Sequence, residues 1–195
     1  MRNAAIMGLL GLTTGLVTVL INPFTGQVNA LVRQFMAEAG WGADIWQAVA
    51  TFGPGLIFGV VIGAWLHFRH RRSLWRWGLF AALTTASWVA AIFAAASLAN
   101  APLEWLPKSW GPNLRWLPGI AGGMVGAAFV AATLALLYPA LRRVSAILSI
   151  LLVGGLAGLP LFYQGFVVTF PLWQASVGIA IGFGLDRADD RSALR

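Results

Sequence analysis

The stretch His70-Arg71-Arg72-Ser73-Leu74-Trp75-Arg76-Trp77 separates two long uncharged runs, and its reading decides the fold. Four cations or near-cations within so short a connection are hard to carry across a bilayer, so a loop of this kind stays in the cytoplasm. The flanking runs then become spanning helices, one arriving from outside and one returning there.

Composition supports that class. The chain has 59% hydrophobic and only 10% charged residues among 195, with a mean hydropathy of +0.79. These values lie outside the range of soluble domains and within that of polytopic membrane proteins. A spanning helix needs roughly 20 apolar residues, so the chain accommodates about six with short connections and leaves little for a soluble module. The net charge of +7 does not indicate nucleic acid, because arginines beside apolar runs are explained by orientation and by anionic headgroups. The chain has no cysteine, which removes disulfides, thiol catalysis and thiolate metal sites.

Taken in order, residues 4–21 form an uncharged run of 18 behind Arg2. This is longer than the apolar core of a signal peptide, and it reads as a retained first helix stopped by Asn22-Pro23. In residues 27–39, Val28, Leu31, Val32, Phe35 and Met36 share one helical face, as in a short amphipathic helix lying at the outer interface. The second span covers 45–68, with Gly55, Gly59 and Gly63 as a smooth strip for a neighbouring helix. The third covers 77–98, where Ala82, Ala86, Ala90 and Ala94 repeat the small-residue spacing.

Residues 100–118 hold four prolines and three tryptophans, which fits an ordered loop at the outer interface rather than a helix. The fourth span, 116–141, carries Gly119, Gly122, Gly123 and Gly126 and ends at Arg142-Arg143. The 42 residues 144–185 contain no charge and divide into spans 144–162 and 165–185 around Pro160 and Gly165. The expected fold is therefore all-α: one integral membrane domain over residues 1–195, with six transmembrane helices as three helical hairpins. Ten of the thirteen Lys and Arg fall on one side, leaving Arg33, Lys108 and Arg115 on the other. That bias places both termini in the cytoplasm of a bacterial-type inner membrane.

Chemistry is sparse. No Asp, Glu, Lys or Arg lies within an expected span, and such residues are the usual mark of proton and ion pathways. His67 and His70 have no third ligand nearby, and no serine or threonine has a histidine or acid partner in a span. Thr13, Thr14, Thr84 and Thr85 are expected to bond back to helix carbonyls. No catalytic residue, metal or cofactor is therefore assigned, and the chain is read as a non-enzyme.

One cluster remains. Asn22, Gln47, Thr51, Asn100, Glu104, Gln164, Trp173 and Gln174 all fall near outer helix ends. Amides beside aromatic walls can orient and stack a small solute, so these residues form the candidate ligand site, with Leu31, Phe35 and Met36 as its lid. The function expected is a solute-binding or transport protein with an outward-facing pocket, or the membrane component of a larger transporter. The alternative is a non-catalytic structural subunit that packs by its Gly-rich faces. Expected partners are membrane lipids, a small solute, and another membrane protein or a second copy, with no nucleic acid.

Overall fold

The structure is a computed structural model that describes residues 2–21, 34, 38, 43–70, 73–100, 114 and 116–193, without the side chains of 43–47, 50, 162–164 and 191–193. Among the described residues it is all-helical. The helices are α1 (Arg2–Ile21), α2 (Ala43–His70), α3 (Leu74–Ala99), α4 (Leu117–Leu137), α5 (Val144–Ala157) and α6 (Leu161–Ala193), with a 3-10 turn at Pro139–Leu141. Among the described residues five segments, rather than the six expected, are long and apolar enough to cross a membrane: Arg2–Ile21, Thr51–His70, Leu74–Ala99, Leu117–Leu137 and Gly165–Asp190. Large apolar side chains such as Leu9, Phe93, Leu136 and Leu152 stand exposed on the outer faces. An apolar exterior over long apolar helices is consistent with a helical multi-pass membrane protein.

Prolines and glycines set the helix ends, and they revise three of the expected spans. The run expected to continue over 116–141 stops at Leu137, because Pro139 drives Tyr138 into an extended conformation (φ −128°, ψ 92°). The fifth helix, expected over 144–162, covers 14 residues and ends at Ala157. At about 21 Å it is shorter than a bilayer core of about 30 Å. Pro160 disfavours helical geometry at Leu159, and residues 158–160 turn instead. The last helix starts at Leu161, breaks at Gly165 (φ 65°, ψ −165°), then runs through Pro171 to Ala193. The segment 186–193, beyond the expected end of the last span at residue 185, therefore extends the helix.

Packing is built on close backbone approach. In lipid, helices associate through van der Waals contact between small residues rather than by removing apolar surface from water. The strip Gly55, Gly59 and Gly63 lies against α3, as expected: a Cβ on Gly55 would sit 2.6 Å from the Thr84 carbonyl oxygen and 2.7 Å from Thr85 Cα. On α3 the strip meets Trp77, Phe80, Ala81, Thr84, Thr85 and Trp88, while Ser87, Ala91 and Ala95 face Gly122 and Gly126 of α4; Ala82, Ala86, Ala90 and Ala94, the expected row, are exposed or half-buried. Gly119 and Gly123 of α4 meet Gly158 and Gly154 at α5.

The closest pairing joins the two ends of the chain. Gly8, Gly11 and Gly15 of α1 face Ile179, Gln174 and Pro171 of α6, while Gly178 and Gly182 face Met7 and Ala4. Each helix packs on its neighbour in sequence, and α1 closes the ring on α6. The principal partner of α1 is thus α6 rather than its expected hairpin neighbour α2.

Arg69, Arg76, Arg142 and Arg143 share one end of this ring, and polar contacts tie it together. The Asp186 carboxylate accepts the Asn3 and Ala4 backbone N–H groups at 3.1 and 3.2 Å, capping donors that the first turn of α1 cannot use internally. Asp189 accepts Asn3 Nδ2 at 3.1 Å and pairs with Arg69 at 3.2 Å. Arg76 and Arg142 donate to the Leu137 and Ala135 carbonyls, at the frayed end of α4. Both described chain ends therefore lie at the basic end, the relation expected from the arginine count.

Candidate functional site

The interior of the ring is packed toward the basic end and hollow toward the other, and a second cavity of about 310 Å³ lies between α5 and α6, where Arg187 lines it. Phe58, Ile62, Leu66, Phe80, Leu134 and Ile181 form a continuous core on the basic side. Beyond them a cavity of about 310 Å³ opens among α2, α3, α4 and α6, a size at the small end of known ligand sites. Its hollowness follows from its lining: where Gly55, Gly119, Gly122, Gly123, Ala91 and Ala95 face inward, helix backbones meet in pairs while little side-chain volume reaches the centre.

Aromatic rings make the remaining wall. Trp88 meets Phe170 edge-on at 4.9 Å, and Phe170 stacks on Phe166 at 5.1 Å. Phe58 and Trp173 are tilted at 60° with centroids 6.0 Å apart. Between the rings lie Thr84, Ser87, Thr169 and Gln174. Three of these hydroxyls are turned into helix backbone: Thr84 to Phe80 and Ala81, Thr169 to Gly165, and Ser87 across to Gly126 at 2.7 Å. Among the described residues that line it there is no Asp, Glu, Lys, Arg or His, so that part of the wall presents rings and dipoles without a formal charge. Comparison with protein-family models, curated proteins and solved structures gave no match for this chain. The site is therefore read from its own geometry.

Trp173 and Gln174, both anticipated from sequence, line the cavity and cross-link the ring. Trp173 Nε1 donates to the Gly123 carbonyl at 3.3 Å, joining α6 to α4. Gln174, 2% exposed, donates from Nε2 to Thr18 Oγ1 and to the Pro54 carbonyl, each at 3.4 Å, joining α6 to α1 and α2. Thr51 is half-buried on α2 but away from the lining. Asn100 is exposed and caps α3, its Nδ2 donating to the Ala96 carbonyl at 2.8 Å. Asn22, Glu104 and the lid residues Leu31, Phe35 and Met36 lie outside the described residues, as do the side chains of Gln47 and Gln164.

Sequence reasoning missed Trp88, in the middle of α3, and Phe166 and Phe170, which stand between the Gly165 break and Trp173. A signal for the last two exists. Phe166, Thr169, Phe170, Trp173 and Gln174 recur at intervals of three, four and one along α6 and so share one face. The threonines anticipated to bond back do so: Thr13 to Leu9, Thr14 to Gly11, and Thr84 and Thr85 to Ala81.

His67 and His70 are the remaining titratable pair. His67 stacks on Trp77 with centroids 6.2 Å apart, and His70 lies against Tyr138 at 6.3 Å. Each ring is packed among aromatics at the basic end, on the far side of the core from the cavity.

Proposed function

We propose that this chain is a multi-pass protein of a bacterial-type inner membrane, with both termini and the arginine-rich end in the cytoplasm, that binds a small uncharged solute in the cavity between α2, α3, α4 and α6. The carrying observation is a one-ended hollow: a cavity of about 310 Å³ walled by five aromatic rings and Gln174, with a packed core between it and the basic end. A site of that form receives a molecule from the non-cytoplasmic side. It serves a transport protein, or the membrane component of a larger transporter, better than it serves an ion pathway, for which charged groups along the spans are the usual requirement.

The alternative, a structural subunit docking through its Gly-rich faces, loses most of its support. Gly55, Gly59, Gly63, Gly119, Gly123, Gly178 and Gly182 all face other helices of the same chain, so those faces are already occupied.

Native mass spectrometry on the protein purified from its own membrane tests the proposal. We expect one small molecule per chain, lost in Trp173→Ala and kept in Trp75→Ala, since Trp75 is exposed at the opposite end. Retention of only phospholipid, or of a stoichiometric second protein, would instead favour the structural role.

A further inference from the structure

The second cavity, in the outer seam between α5 and α6, shares no described lining residue with the first. Small side chains at Ser149, Ser176 and Ala180 leave the space, and Ile179 and Phe183, 40% and 38% exposed, give it an apolar face. Arg187 stands at its end along α6. From Ser176 to Arg187 the helix rises about 16 Å, close to one hydrocarbon leaflet, half of a bilayer core of about 30 Å. Charge gathers where the groove ends. Arg143 Nη1 donates to the Arg187 carbonyl at 3.3 Å, which sets a second guanidinium against the turn that carries Arg187. The acids of that turn are engaged elsewhere: Asp186 accepts the α1 N–H groups and Asp189 pairs with Arg69. Asp190, exposed one turn on from Arg187, makes no ion pair among the described residues.

We propose that the α5–α6 groove binds an anionic phospholipid of the leaflet at the basic end, with one acyl chain along residues 176–183 and the phosphate reaching Arg187 and Arg143. This rests on the membrane placement proposed above and not on the first cavity as a solute site. Guanidinium groups form strong paired hydrogen bonds with phosphate oxygens, and basic pockets between spanning helices suit anionic headgroups. A zwitterionic lipid brings a cation along with its phosphate, which the two arginines disfavour. A soluble phosphate satisfies the guanidiniums but leaves the apolar walls uncovered. Arginines are widespread at the inner ends of spanning helices as orientation signals, so Arg187 must matter more to lipid choice than another arginine of the same end.

The test is native mass spectrometry of the full chain, delipidated in a neutral detergent and titrated with phosphatidylglycerol, phosphatidylcholine of the same chains, and glycerol 3-phosphate. Phosphatidylglycerol should fill one site roughly five- to twentyfold more tightly than phosphatidylcholine, the span expected for one or two arginines at a headgroup. Arg187→Gln should remove most of that preference and Arg187→Lys should keep most of it. Because Arg187 is exposed, both variants should melt with the parent. Arg76→Gln takes the same charge from α3 at the same end and should leave the preference unchanged. Ser176→Phe fills the far part of the groove and should weaken both lipids together. Glycerol 3-phosphate should not bind at concentrations that saturate the lipid site.

Equal binding of the two lipids would overturn the anionic site and leave an unselective lipid shell, as would a preference untouched by Arg187→Gln or lost equally in Arg76→Gln. Glycerol 3-phosphate binding as tightly as phosphatidylglycerol would give the arginines to a soluble phosphate and overturn the lipid. Lipid binding unchanged in Ser176→Phe would overturn the place of the acyl chain. If neither lipid is retained at all, the membrane placement itself falls.

Discussion

Gly165 is the residue at which the backbone itself dictates identity. Its φ of 65° with ψ of −165° lies in a region that essentially only glycine occupies. The space around it is open, with no atom within 4 Å of where a Cβ would stand. Gly165→Ala should therefore cost about 1–3 kcal/mol through conformation alone, read as a lower melting temperature in detergent. The break matters for the site because Phe166 and Thr169 follow it directly, so its angle sets where the aromatic face of α6 points. An unchanged melting temperature would mean that α6 can run straight through Gly165. Gln174 carries the complementary lesson. From sequence it is one amide near a helix end, while in the fold it contacts Thr18, 156 positions away, and Pro54.

Among the helices, the α2–α3 pair is the clearest test of small-residue packing. A Cβ on Gly59 would press on Thr84 Oγ1 and lie 2.7 Å from Ala81 Cα, which is backbone and cannot swing aside. Gly59→Leu should push α3 away and cost on the order of 1–3 kcal/mol, lowering thermal stability in detergent. Gly78→Leu on α3 is the matched control, because nothing lies within 4 Å of its added Cβ. Equal melting of the two variants would show that the strip contributes no packing energy. The Gly55-Gly59-Gly63 strip was legible as a helix-facing surface because three glycines on one face leave no other use for their spacing. The alanine row of α3 was not legible. Nine of its 26 residues are alanine, so a small-residue period can be traced along more than one face, and only the partners select Thr84 for α2 and Ser87 for α4.

For the molecule in its membrane, the arginine distribution makes a prediction independent of any site. Single cysteines replacing Ser73 or Ser192 should be shielded from a membrane-impermeant thiol reagent in intact cells, while one replacing Ser109 should label. The reverse pattern would invert the topology and turn the cavity toward the cytoplasm. The absence of native cysteine leaves no background. The closed ring also bears on assembly: with α1 paired to α6, the remaining outer faces display side chains such as Leu16, Phe93 and Leu148, a surface suited to lipid.

The all-helical class and the approximate positions of the apolar helices could be read before any fold was known, because they rest on local quantities: the length of an apolar run and the position of Pro and Gly. The errors at Pro139 and Pro160 were of the same local kind and lay within reach of that reading. Pairing was different. In lipid an apolar face is equally comfortable against acyl chains or another helix, so hydrophobic periodicity, which marks the core face of a soluble helix, carries little information about which face turns inward. Gly8, Gly11 and Gly15 could have met any small-residue face, and only assembly matched them to α6. The cavity depends on assembly still more strongly. It is a volume that no segment contains, left where glycine-rich backbones converge, and it alone gathers Trp88 and Gln174 into one lining.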